Sequence, residues 1–162
     1  MQGHTLVLGI GNRLLTDEAV GLEVVRRLSE EHGDLPNVRF LDGGTLSFTL
    51  AGPIAEAKRL IVVDAARMGT APGTVRIFDG PAMDRQLSGN VSSVHEVSLA
   101  DLLDIAKLTE SLPLLRCLVG IEPATVDWGD TLTGRVQEAV PQAMTEVLTM
   151  IARWNGGNAV PE

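Results

Sequence analysis

The chain contains no tyrosine and only three phenylalanines and two tryptophans among 162 residues. That scarcity disfavours an aromatic platform on which nucleobases could stack. Basic residues are also few: 13 Lys and Arg face 21 Asp and Glu, a formal net charge of −8, and no basic cluster occurs. Nucleic acid is set aside as a partner on that ground. Long hydrophobic runs are missing as well, since the longest are broken by Gly, Asp or Arg well short of the roughly 20 residues that span a bilayer. The first strand begins almost at the N-terminus, which leaves no room for a signal peptide. The single cysteine, Cys117, excludes an internal disulfide and suits a reducing cytoplasm, the expected location. It lies in the apolar run Leu114 to Val119, where a buried structural thiol is expected.

What is present is a pattern. Apolar runs alternate with amphipathic segments, without repeats, low-complexity tracts or linkers. This predicts one α/β domain over residues 1–155, followed by a short tail, 156–162. The architecture expected is a twisted, mainly parallel five-stranded sheet with helices on both faces, a three-layer α/β/α fold. Strands are predicted at 5–10, 37–41, 59–63, 74–79 and 114–121. The run 59–63 is the strongest candidate for a central strand because its β-branched residues do not alternate with polar ones. Helices are predicted at 18–32, about 47–57, 98–108 and from Val136 to the C-terminus. Ser98 and Asp101 resemble a capping box with Asp in the usual place of Glu. Pro141 must kink the last helix or start its main segment.

In such a sheet, ligands gather beyond the carboxyl ends of the strands. Three kinds of polar group project there: the Asp17-Glu18 pair after the first strand, Asp64 at the end of Leu60 to Val63, and His95 before the Ser98 helix. Glu18, Asp64 and His95 form a reasonable ligand set for an exchangeable divalent ion. Each also has a plainer reading. Asp17 or Thr16 caps a helix, with Asp17 the preferred cap, Asp64 opens a turn, and His95 is a solvated loop residue. The turn Gly9-Ile10-Gly11 is a fragment of a dinucleotide fingerprint, but Leu14 stands where the third glycine belongs and the paired acids oppose a pyrophosphate. Asp42-Gly43-Gly44-Thr45 ends the second strand at the same edge, where side-chain-free backbone leaves a groove for a peptide. No Gly-x-Ser-x-Gly elbow or cysteine nucleophile motif occurs, so a hydrolase built on this frame requires a metal to activate water or polarise a carbonyl.

From Thr5 to Trp154 the chain resembles the [NiFe]-hydrogenase maturation endopeptidases. The resemblance rests on Leu8-Gly9-Ile10-Gly11-Asn12 through Thr16-Asp17-Glu18-Ala19-Val20-Gly21, on Leu41-Asp42-Gly43-Gly44-Thr45, on Ile61-Val62-Val63-Asp64-Ala65, on Ser93-Val94-His95-Glu96-Val97-Ser98-Leu99-Ala100-Asp101 and on Val119-Gly120-Ile121-Glu122-Pro123. It implies a monomeric endopeptidase that removes the C-terminal extension of the hydrogenase large-subunit precursor after nickel insertion. Glu18, Asp64 and His95 would bind the ion and serve as the catalytic residues. The nickel would arrive with the precursor, and other divalent ions could occupy the site. The alternative is a nickel-checking chaperone that holds the precursor without cutting it. Ser47, where many members have Gly, and Glu96, often Gln, depart from the commonest family pattern and bear on which precursor is taken.

Overall fold

The computed structural model describes residues 3–88 and 97–156. Five strands form one sheet in the order β2-β1-β3-β5-β4. They are β1 (Thr5–Gly9), β2 (Val38–Asp42), β3 (Arg59–Ala65), β4 (Val75–Asp79) and β5 (Leu115–Ile121). All neighbours run parallel except β4, which lies antiparallel to β5 at the edge. The predicted fold is therefore the one observed, with β3 at the centre.

The burial of β3 explains its unbroken apolar run. Ile61 and Val63 face a core built with α1 (Val20–His32) and α5 (Gly134–Trp154), while Leu60 and Val62 face a second core on the opposite side. That second core is completed by α2 (Ala51–Glu56), α3 (Pro81–Ser88) and α4 (Leu99–Leu108). A strand covered on both faces has no position where a polar side chain is free. Cys117 lies in the first core, fully buried, and burial together with the Asp79 charge pushes its thiol up to about 12. It is inert, as its position in the sequence suggests. Among the described residues, no helix is long and apolar enough to cross a membrane.

Several local expectations hold and others need correction. Ser98 and Asp101 form the reciprocal capping box at the start of α4. Pro141 does not start the last helix, which begins at Gly134 and contains the proline on its exposed side. The segment predicted as one helix from residue 18 divides into a 3-10 turn, Thr16–Ala19, and α1. Asp17 caps neither element, because neither N-cap residue makes a side-chain capping bond. The helix α3 has no counterpart in the sequence reading: it buries only Met83, and its Gly80-Pro81 start reads as a turn. Residues 157–162, most of the proposed tail, lie outside the described residues.

Candidate active site

The strand order places a switch point between β1 and β3, because the chain leaves β1 toward β2 on one side and reaches β3 on the other. Crevices at such points are where open α/β sheets bind ligands. Glu18 follows β1 and Asp64 lies near the end of β3, so both flank this crevice.

Three glycines bring the two acids together. A Cβ on Gly21 would stand 2.1 Å from the Val63 carbonyl oxygen and 2.7 Å from that of Ile10. One on Gly11 would stand 2.0 Å from the Glu18 carbonyl oxygen, and one on Gly9 would meet the Gly21 carbonyl at 2.7 Å. All four contacts are with backbone, which cannot swing aside. The spacing of Gly9, Gly11 and Gly21 therefore serves close approach of the α1 entry to the strand ends, not the reception of a phosphate.

Asp64 pairs in register with Gly120, which places both on the face that α4 covers. Its Oδ1 is buried and has no hydrogen-bond partner among the described residues. Burial, then the negative charge of Glu18, push the Asp64 carboxyl well above the usual carboxylate range, against a weaker hydrogen bond from the Ala65 backbone. Burial also raises the Glu18 carboxyl, opposed by the charge of Arg67. The two acids thus both resist ionisation, and one keeps an oxygen with no partner among the described residues. No third His, Cys, Asp or Glu joins them among the described residues. His95, the third proposed ligand, lies outside the described residues, as does Glu96.

The Asp42-Gly43-Gly44-Thr45 turn runs beside the end of β1. The Gly43 N–H donates to the Gly9 carbonyl at 2.8 Å, and the Gly11 N–H donates to the Gly44 carbonyl at 2.9 Å. Gly44 has φ +59°, with nothing near its missing Cβ, so glycine is there for conformation. The Asp42 carboxylate is engaged, accepting from the Gly44 N–H at 3.0 Å and pairing with Arg13. Thr45 is exposed.

Three residues around the acid pair take structural roles that the sequence reading does not assign. Asp17 is 0 % exposed and accepts four hydrogen bonds: from Thr133 N–H and Oγ1 at 2.8 Å each, Ala124 N–H at 2.9 Å and Thr125 N–H at 3.2 Å. Burial alone would raise its pKa, but these donors outweigh burial and leave the carboxyl below its ordinary value. The residue beside Glu18 thus clasps the β1–α1 connection to the β5–α5 connection. Glu122, 6 % exposed, gathers the loop after Asp64 through bonds from the Met68 N–H at 2.7 Å, the Thr70 N–H at 3.0 Å and Thr70 Oγ1 at 2.9 Å. Its carboxyl is lowered as well, the loop donors outweighing the effect of burial. Arg67, in that loop, supplies the charge felt by Glu18. Glu122 had a legible signal, because it ends a buried strand at the same edge as Asp64. The partners of Asp17 lie more than 100 residues away, and no local pattern announces them.

Residues 22–150 match the family model for HycI, hydrogenase maturation protease. The hydrogenase 2 maturation protease of Escherichia coli K12 is 35% identical over 157 residues, 96% of this chain and 94% of the relative. This chain belongs to the hydrogenase maturation protease family. Another relative in this family is the hydrogenase expression/formation protein HoxM of Cupriavidus necator, 32% identical over 96% of this chain and 77% of its own length. The hydrogenase maturating endopeptidase HybD from E. coli superposes with a TM-score of 0.86 at 37% identity, covering 98% of each chain. A [NiFe] hydrogenase maturation protease HybD from Thermococcus kodakarensis gives 0.73 at 29% identity, over 89% of this chain and 96% of that one. The maturation protease fold thus extends over nearly all of the described chain.

Proposed function

We propose that this protein is a nickel-dependent processing endopeptidase. It removes the C-terminal extension of a [NiFe]-hydrogenase large-subunit precursor once nickel has been inserted, and it acts as a monomer in the cytoplasm. Family membership supports the peptidase reaction. The need for a cation is supported by one observation, the buried Asp64 Oδ1, unpartnered among the described residues, beside the Glu18 charge. A cation brought by the substrate relieves both the repulsion and the orphaned oxygen.

In this reading the nickel is part of the substrate. Glu18, Asp64 and His95 bind it, and it supplies Lewis acidity at the scissile carbonyl or at the attacking water. The remaining chemistry falls to the chain itself. The peptide lies along Gly43, Gly44 and Thr45, with Asp42 holding the turn. Glu18 or Asp64 accepts the proton of the attacking water and returns it to the leaving amine. Asp17 and Glu122 keep the two connections that carry these groups in place.

Mass spectrometry of the precursor after incubation with the pure protein tests the proposal. Nickel-loaded precursor is expected to lose its C-terminal extension, while nickel-free precursor keeps its mass. Replacing Glu18, Asp64 or His95 with Ala abolishes processing with the fold intact. Normal processing by all three variants would refute the metal assignment, and unchanged precursor mass with stable binding would make the protein a chaperone.

A further inference from the structure

Close in sequence to Glu18, the structure holds large apolar side chains in water next to a hydrogen-bonded bridge. Leu15 and Gly129 form an isolated parallel bridge, in which the Gly129 N–H donates to the Leu14 carbonyl and the Thr16 N–H to the Gly129 carbonyl, both at 2.9 Å. Thr16 Oγ1 adds a bond to the Thr125 carbonyl at 2.8 Å, and the Asp17 clasp lies directly beneath. Parallel register makes Leu14 and Trp128 neighbours across this bridge. Leu14 is 58% exposed and Trp128 80%. The exposed Trp side chain adds little to the core, while the backbone on either side of it is held: Asp127 accepts from Thr16 Oγ1, and Gly129 bonds to Leu14 and Thr16. Aromatic side chains standing in solvent are typical anchors of protein interfaces.

Next to Leu14 opens a crevice of about 450 Å³, which Ala19 and Leu22 line close to Glu18. Its charged groups are mostly satisfied: Arg13 pairs with Asp42, and Arg26 with Glu23 and Glu30. Asp130, also in the lining, has no ion pair among the described residues, and neither does the exposed Asp127 on the other side of Trp128. The surface is therefore apolar at its centre and carries uncompensated negative charge at its rim. Its complement is an apolar side chain with a cation alongside.

We propose that Leu14, Trp128 and Asp130 are the docking point for a segment of the hydrogenase precursor in which an apolar residue stands next to a lysine or arginine. This rests on the processing function proposed above and names the surface by which the same substrate is held. Docking here brings the precursor against the connection that carries Glu18, so the clasp at Asp17 links recognition to the acid pair.

The test is a kinetic comparison on nickel-loaded precursor of Trp128→Ala, Leu14→Ala and Asp130→Lys, singly and combined, with circular dichroism to verify folding. KM is expected to rise about tenfold or more for Trp128→Ala, with a much smaller change in kcat. The effect of Asp130→Lys should shrink as salt is added. Lys107→Ala, at the opposite edge of the sheet, should leave both parameters unchanged. A folded triple variant with wild-type KM overturns the proposal while leaving the processing function standing. If wild-type protein cuts nothing, direct binding of precursor to immobilised protein decides: weaker binding by Trp128→Ala supports the docking point and equal binding overturns it. Sedimentation of the wild type as a dimer and of Trp128→Ala as a monomer also overturns it, since the face then belongs to a second copy of this chain.

Discussion

At the scale of single residues, the carboxylates of Asp17 and Asp64 have opposite electrostatics. Asp17 is met by four donors and lies below its ordinary pKa, whereas Asp64 meets the Glu18 charge and lies well above. Their substitutions should therefore act in opposite directions. Asp17→Asn keeps the shape but turns an amide toward N–H donors, leaving at least one of them unsatisfied. It should cost about 3 kcal/mol and lower Tm by roughly 10 °C. Because the folded pKa of Asp17 is depressed, its contribution is full above the ordinary carboxylate pKa and fades as pH falls through the folded value. The gap between wild type and variant should accordingly narrow below about pH 4 in thermal melts. For Asp64 the folded pKa is raised, so stability is full below the ordinary value and is lost as pH rises. Asp64→Asn should thus melt higher than wild type at pH 8 in metal-free buffer and equal it near pH 4, while failing to process precursor. A variant that melts lower at pH 8 would contradict the raised pKa of the Asp64 carboxyl.

Individual elements show how the sequence positions these groups. The entry to α1 is pressed against the ends of β1 and β3, and Gly21 sits where a methyl group would strike the Val63 and Ile10 carbonyls. Gly21→Ala should cost about 1–3 kcal/mol through overpacking. It should lower processing by on the order of 100-fold, because Glu18 and Asp64 are displaced relative to each other. Comparing urea unfolding with precursor cleavage separates the two effects, and a loss of activity no greater than the loss of folded protein would refute the positional role. The capping box at α4 is a local device of the opposite kind. Ser98→Ala removes one side-chain acceptor and should cost about 1 kcal/mol, visible as a lower urea midpoint. The short helix α3 marks where local signals fail. One buried residue, Met83, and a Gly80-Pro81 start give neither periodicity nor a cap, so only its packing against the second core makes it a helix.

Across the whole molecule, the sheet divides the core in two and the edges differ from the centre. The strands β1, β3 and β5 carry the fully buried residues, while β2 and β4 are partly exposed edges. Hydrogen exchange should be slowest in β1, β3 and β5, which are paired on both sides, and faster in the edge strands β2 and β4. Equal protection across all five strands would contradict this ordering. The same arrangement puts the switch point between β1 and β3, and with it the acids, at the stable centre of the sheet.

The sequence by itself determined the elements with strong periodicity, the mainly parallel order implied by unbroken apolar strands, and the edge to which Glu18, Asp64 and Asp42 to Thr45 project. These follow from neighbouring residues, since burial on two faces and glycine turns leave a local imprint. Only the tertiary structure decided that Asp17 is a clasp and not a cap, that Glu122 organises the loop after Asp64, and that Asp42 is already engaged by Arg13. Each of these depends on donors far away in the chain, and a carboxylate's role is set by the partners that reach it, which no local pattern records.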